Sequence, residues 1–239
     1  MTQFDPRDRV VLALDDMSLK RALALVAELK PRFVKVHDLV DGCGVSVVLD
    51  ALRPFGVSVL CDSKFHDTPD TVPARISRYA DAGATALTIH ASGGVRMLKA
   101  ARECAAERGV HVYAVSILTS LTAQEVFDTY GSPPIPTALR FARWAVEAGV
   151  TGLVCSAHEV RVLASNSDFS ELRFLVPGVR SPGSPWKSQS RVLTPAEAIV
   201  AGAHQIIVGS EVCGDADPRT TFDSILQQVV DAQLALQVA

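Results

Sequence analysis

Apolar residues fall in two alternating rhythms along this chain. Short unbroken runs of β-branched and aliphatic residues recur, and between them apolar residues return at every third or fourth position. The runs are VVLAL (10–14), FVKV (33–36), VSVLC (57–61), ALTIH (86–90), VYAVSIL (112–118), GLVC (152–155), RFLV (173–176) and QIIVG (205–209). None alternates apolar with polar, which predicts strands covered on both faces. The segments between them predict helices: SLKRALALVAELK (18–30) sets Leu19, Ala22, Leu25, Val26 and Leu29 on one face. Gly83, Gly109, Gly149 and Gly202 stand just ahead of the next run, where a helix C-cap belongs. Eight strand–helix units without a composition break predict a single α/β domain over residues 1–239, closed as a (β/α)8 TIM barrel. An open doubly wound sheet is the alternative. Against it, the first run leads into LDDMS and not into a glycine-rich turn. Gly42-Cys43-Gly44 lacks the third glycine of a dinucleotide fingerprint and reads as a loop.

Composition narrows the function classes. The net charge of −3 favours neither nucleic acid nor an anionic membrane surface, so any recognition of phosphate must be local. No apolar run approaches the ~20 residues of a membrane span. The N-terminal MTQFDPRDR has no apolar core of a signal peptide. Cys43, Cys61, Cys104, Cys155 and Cys213 are odd in number and widely spaced, which predicts reduced thiols in a cytoplasmic protein, not a zinc site or disulfide framework. His66, His90 and His158 are not grouped for a metal and read as structural.

In such barrels the reactive groups stand at the C-terminal strand ends. There the chain places Asp15 and Asp16, then Lys35, His37 and Asp38, then Asp62, Lys64 and Asp67 within CDSKFHDTPDT (61–71). Asp62 and Lys64, two apart, share a strand face with Lys35 beside them, and Asp67 comes after a short turn. The pattern predicts an alternating Lys–Asp–Lys–Asp cluster. A structural ion-pair network is the competing reading, since buried charges need partners wherever they occur. After strand seven, VPGVRSPGSPWKSQSRVLTP (176–195) makes a long polar loop, with Thr194 as N-cap and Pro195 opening the next helix. After strand eight comes IVGSEV (207–212); loops at these two strands often cradle phosphate through backbone N–H groups.

DSKFHDTPDT (62–71) resembles the D-x-K-x-x-D-x-P-x-T signature of the orotidine 5′-phosphate decarboxylase family. LALD (12–15), VKV (34–36), TIHASGG (88–94), ILTS (117–120), PGVR (177–180), Gln189 with Arg191, TPAEAI (194–199) and VG (208–209) resemble that family too, in its order. The resemblance implies removal of the C6 carboxylate of orotidine 5′-phosphate to give UMP, without metal or organic cofactor. It implies Lys64 as proton donor to C6, Asp62 beside the departing carboxylate, and Lys35 and Asp67 completing the array, with Asp67 supplied across a homodimer interface. It places Asp15, Lys35 and the partner chain's Thr71 at the ribose, Thr119 and Ser120 at the pyrimidine, and Arg180, Gln189 and Gly209 at the phosphate.

Departures surround this core. Ser210 and Glu211 stand where the family carries a phosphate-binding arginine and its neighbour. His37 replaces a glycine; Thr68 and Asp70 replace an apolar residue and an amide; Pro185, Trp186 and Lys187 stand in the strand-seven loop where the family tends to be smaller and more acidic. Loss of a bidentate cation beside an added carboxylate weakens phosphate recognition. Three readings are open: the family's decarboxylase, with phosphate held by Arg180, Lys187, Gln189 and backbone; a diverged enzyme acting on another nucleotide or an unphosphorylated nucleoside; or a non-catalytic nucleotide-binding relative.

Overall fold

A computed structural model describes residues 4–182 and 193–238. Eight parallel strands close into one barrel: β1 Val10–Ala13, β2 Phe33–Val36, β3 Ser58–Phe65, β4 Ala86–His90, β5 His111–Val115, β6 Gly152–Val154, β7 Arg173–Val176 and β8 Gln205–Val208. β8 pairs with β1 in the register Val10–Ile206 and Leu12–Val208, so no edge is left open. This excludes the open doubly wound sheet.

The alternation of strand side chains sorts each apolar run into two sets. Val10, Leu12, Val34, Val36, Leu87, Ile89, Ile206 and Val208 point outward into the main core, packed under the surrounding helices. Val11, Ala13, Leu60, Tyr113, Leu175 and Ile207 point inward and fill the barrel with a second, smaller cluster. The helices form where periodicity and caps predict them. Leu19–Leu29 starts at Ser18, whose hydroxyl accepts the Arg21 N–H, and buries Ala22, Leu25, Val26 and Leu29. Thr194 caps Pro195–Val200 through a reciprocal box with Glu197. Gly149, at φ +69, ends Pro134–Ala148 in the left-handed region and turns the chain into β6.

Two local expectations change. Gly42 and Cys43 are not loop but the end of a short helix, Asp38–Cys43, and Gly44 (φ +88) joins it to the helix Val45–Leu52. The third strand does not stop at Cys61; it continues through Asp62 and Lys64 to Phe65. Residues 183–192, with Pro185, Trp186, Lys187, Gln189 and Arg191, lie outside the described residues.

Candidate active site

The extra length of β3 builds the site. Cys61 pairs with Leu87 and Phe65 with Ile89, so four residues of β3 advance against two of β4. The surplus is taken up as a bulge, and Lys64 sits at φ +45. A non-glycine residue in that region is uncommon and is retained where surrounding contacts impose it. Here the contacts are clear. The Lys64 backbone N–H donates to Thr88 Oγ1 at 2.9 Å, and that hydroxyl donates to Asp62 Oδ1 at 2.9 Å. Thr88, buried on β4, thus ties the bulge to the acid two residues before the lysine.

The side chains close a compact charge array. Lys64 Nζ lies 2.7 Å from Asp62 Oδ2. Lys35 Nζ lies 3.4 Å from the same oxygen and 2.6 Å from Asp15 Oδ2. Burial raises the Asp62 carboxyl, but the ammonium groups of Lys35 and Lys64 and the hydrogen bonds from Lys64 and Thr88 outweigh it, and its pKa falls below the ordinary 3.8. Both lysines are thereby held beside a fixed anion. Within this one chain the array is Asp15–Lys35–Asp62–Lys64. Within one chain Asp67 faces elsewhere: its Oδ1 accepts the Thr68 N–H at 2.7 Å, and its Oδ2 lies 4.0 Å from Arg75. Thr71 bonds Thr68 at the head of the helix Val72–Asp81.

A cavity of about 770 Å³ opens above the array at the C-terminal ends of the strands. Asp15, Lys35, Asp62, Lys64, Thr119, Arg180, Gly209 and Ser210 all line it; Ser120 is exposed and does not. Opposite the lysines, Arg180 donates to Ser210 Oγ at 3.2 Å and to the Val179 carbonyl at 2.8 Å. The Glu211 carboxylate accepts the Ser181 N–H at 3.1 and 3.2 Å, tying the loop after β7 to the turn after β8.

One lining cation and a hydroxyl were not singled out from sequence. Arg21 reaches the cavity from the helix Leu19–Leu29, although by pattern it is an ordinary surface position of that helix. Its charge reaches Cys213, whose thiol burial and Asp15 push up to about 11 and Arg21 draws partly back. Neither Arg21 nor Arg180 forms an ion pair among the described residues. Thr88 was concealed inside an apolar run. His37 also lines the cavity, and Asp38 beside it accepts the Asp16 N–H at 3.1 Å, holding Asp16 at φ +55. Among the described residues no three His, Cys, Asp or Glu side chains converge as metal ligands, and no helix is long and apolar enough to cross a membrane.

A closed parallel barrel with a lysine-centred charge array at its C-terminal mouth defines the class: a (β/α)8 barrel with its charged groups gathered where such barrels place their sites. The chain belongs to the orotidine 5′-phosphate decarboxylase / HUMPS family, whose model matches residues 8–225. It is 40% identical over 225 residues to the orotidine 5′-phosphate decarboxylase of Anaeromyxobacter sp., covering 92% of this chain and 97% of that one. It is 35% identical over 228 residues to that of Chromohalobacter salexigens, covering 93% and 96%. The crystal structure of orotidine 5′-phosphate decarboxylase from Lactobacillus acidophilus superimposes with a TM-score of 0.79 at 28% identity, covering 93% of this chain and 99% of that one.

Proposed function

We propose that this chain decarboxylates orotidine 5′-phosphate to UMP in pyrimidine nucleotide synthesis, as a cytoplasmic enzyme. The observation that carries the reading is Lys64, held by its bulged backbone in the cavity lining and paired at 2.7 Å with the half-buried Asp62. Loss of CO2 leaves the C6 bonding pair on carbon as a poorly stabilised carbanion. A fixed ammonium beside that carbon stabilises the charge as it develops and then gives its proton to C6. Asp62 holds the lysine in place through its own salt bridge and stands where the substrate carboxylate departs. Lys35, bonded through both oxygens of Asp15, supports the ribose end.

The phosphate end rests on Arg180, Arg21, Ser210 and the Gly209 backbone. In this reading Ser210 does not replace the missing arginine; it orients Arg180 from across the turn. Gln189 belongs to the same end by family resemblance. Asp67 and Thr71 complete the site from a second copy of the chain, which fits their position outside the single-chain cavity. The placement of Ser210 favours one further reading, an enzyme acting on another nucleotide or on an unphosphorylated nucleoside. A purely binding role leaves the Asp62–Lys64 pair without a task.

Loss of pyrimidine absorbance on incubation with orotidine 5′-phosphate, beside orotidine and UMP controls, tests both. Rapid turnover abolished by Lys64→Ala supports the first reading. Turnover of orotidine alone, or none with either, overturns it.

A further inference from the structure

A second cavity, of about 810 Å³, opens at the opposite, N-terminal end of the barrel. One inward layer, Val11, Leu60, Tyr113, Leu175 and Ile207, separates it from the cavity above. Its walls are apolar, with Phe33, Leu60, Ala86 and Leu175 lining the interior. Its charged lining groups are two arginines, Arg9 and Arg173, and one acid, Asp8. Tyr113, Gly152 and Arg173 are consecutive register partners across β5, β6 and β7. At Gly152 a Cβ would meet the Arg173 carbonyl oxygen at 2.0 Å and the Tyr113 ring at 3.0 Å, so only glycine allows this approach. Burial raises the pKa of the Tyr113 hydroxyl, and the nearby Arg173 guanidinium draws it partly back.

Arg9 stands at the same mouth. It donates to the carbonyls of His204 and Ala203 at 2.6 and 2.7 Å and to Gln233 Oε1 at 2.9 Å, all uncharged acceptors. Asp8, the acid lining this cavity, is occupied 2.8 Å from Arg32. Among the described residues neither Arg9 nor Arg173 has a carboxylate within 4.0 Å. The two histidines of the rim feel the excess. Burial lowers the pKa of both, and Arg173 lowers it further at His111, as Arg9 and Arg173 do at His204. The Phe174 N–H donates to His204 Nδ1 at 3.1 Å, so the neutral ring keeps its proton on Nε2 and remains a donor there.

Arg9 is half-buried and meets only uncharged acceptors, and Arg173 at the exposed rim has no carboxylate partner among the described residues, so an anion at this mouth gains a charge-assisted contact. We propose that this mouth is a second binding site, for a small organic anion with an aromatic body and a carboxylate: the ring lies against Phe33, Leu60 and Leu175, and the carboxylate meets Arg173 and the His204 Nε2–H. The site does not depend on the activity proposed for the upper cavity.

Isothermal titration of the purified protein with 2-naphthoate, against uncharged 2-naphthylmethanol and inorganic sulfate, tests it. The expected result is one naphthoate per chain with a Kd of about 1 mM or tighter and binding at least about tenfold weaker for the uncharged analogue, as loss of a charge-assisted contact predicts. Arg173→Met, which keeps an apolar stem on an exposed residue, weakens naphthoate about tenfold, whereas Arg180→Met at the upper cavity leaves it unchanged. Ser58→Leu, which fills the lower cavity from β3, abolishes binding, with circular dichroism confirming that each variant is folded. Absence of naphthoate binding, equal binding of the alcohol, or sensitivity to Arg180→Met in place of Arg173→Met overturns the proposal.

Discussion

Lys64 is bound twice, by its ammonium to Asp62 and by its backbone N–H to Thr88. The two bonds separate charge from position. Lys64→Ala removes the proton donor, and kcat for orotidine 5′-phosphate is expected to fall by at least about 10²-fold, in line with loss of a general acid. Thr88→Val keeps every charge but strands the buried Lys64 N–H and one Asp62 oxygen. Stability is expected to drop by about 1–3 kcal/mol, with kcat falling more than KM rises; denaturant titration and steady-state kinetics read the two effects apart. In the proposed function, Arg21→Ala removes a cation from the phosphate end of the cavity. KM for the phosphorylated substrate is expected to rise several-fold with kcat little changed, and the variant loses part of the salt dependence of KM. Unchanged kinetics for Arg21→Ala would remove it from the phosphate site.

At the level of elements, the apolar runs revealed all eight strands because parallel strands buried on both faces leave continuous hydrophobic stretches. They hid how far β3 runs. Asp62 and Lys64 were legible as a pair on one strand face, but the continuation to Phe65 and the bulge after Cys61 leave no mark in the apolar pattern. Thr88 was invisible for the opposite reason, as a buried hydroxyl in a run read as core. Arg21 looked like a solvated helix face, since nothing in a helical period shows that the helix end leans over a strand mouth. The pairing of Asp15 with Lys35 joins residues 20 positions apart and depends on the β1–β2 register. Helix ends were more legible, because capping is local chemistry. Gly149 takes φ +69, and a Cβ there would meet only Arg102 Nε at an ordinary 3.6 Å. The cost of Gly149→Ala is therefore backbone strain alone, about 1 kcal/mol, and Tm is expected to fall by about 2–4 °C in a thermal melt.

For the whole molecule, the charge array links function to acid stability. The Asp62 carboxyl titrates below 3.8 in the folded chain, so its contribution is fully present above that value and is lost as pH falls through the folded pKa. Asp62→Asn is expected to lower stability at neutral pH and to flatten its fall below about pH 4, as measured by denaturant titration across the acid range. Asp67 raises the matter of assembly. A site completed by a second copy predicts that Lys64→Ala and Asp67→Ala homodimers, each impaired, regain activity when subunits are exchanged, because one site of the mixed dimer then carries neither change. No recovery after verified exchange would return Asp67 to its local role beside Arg75.

The surplus residues of β3 also bear on how this region tolerates length change. Most insertions and deletions in a barrel fall harmlessly in connecting loops. Here the chain carries its extra length inside a strand, between the Cys61–Leu87 and Phe65–Ile89 pairings. A one-residue deletion across 62–64 would shift the register of the strand beyond it and turn Phe65, fully buried, out of the core. A scan of single-residue deletions should thus mark this segment as intolerant as the strand ladder itself, and a D-x-K pair grafted onto a regular strand would inherit the residues without the backbone that aims them.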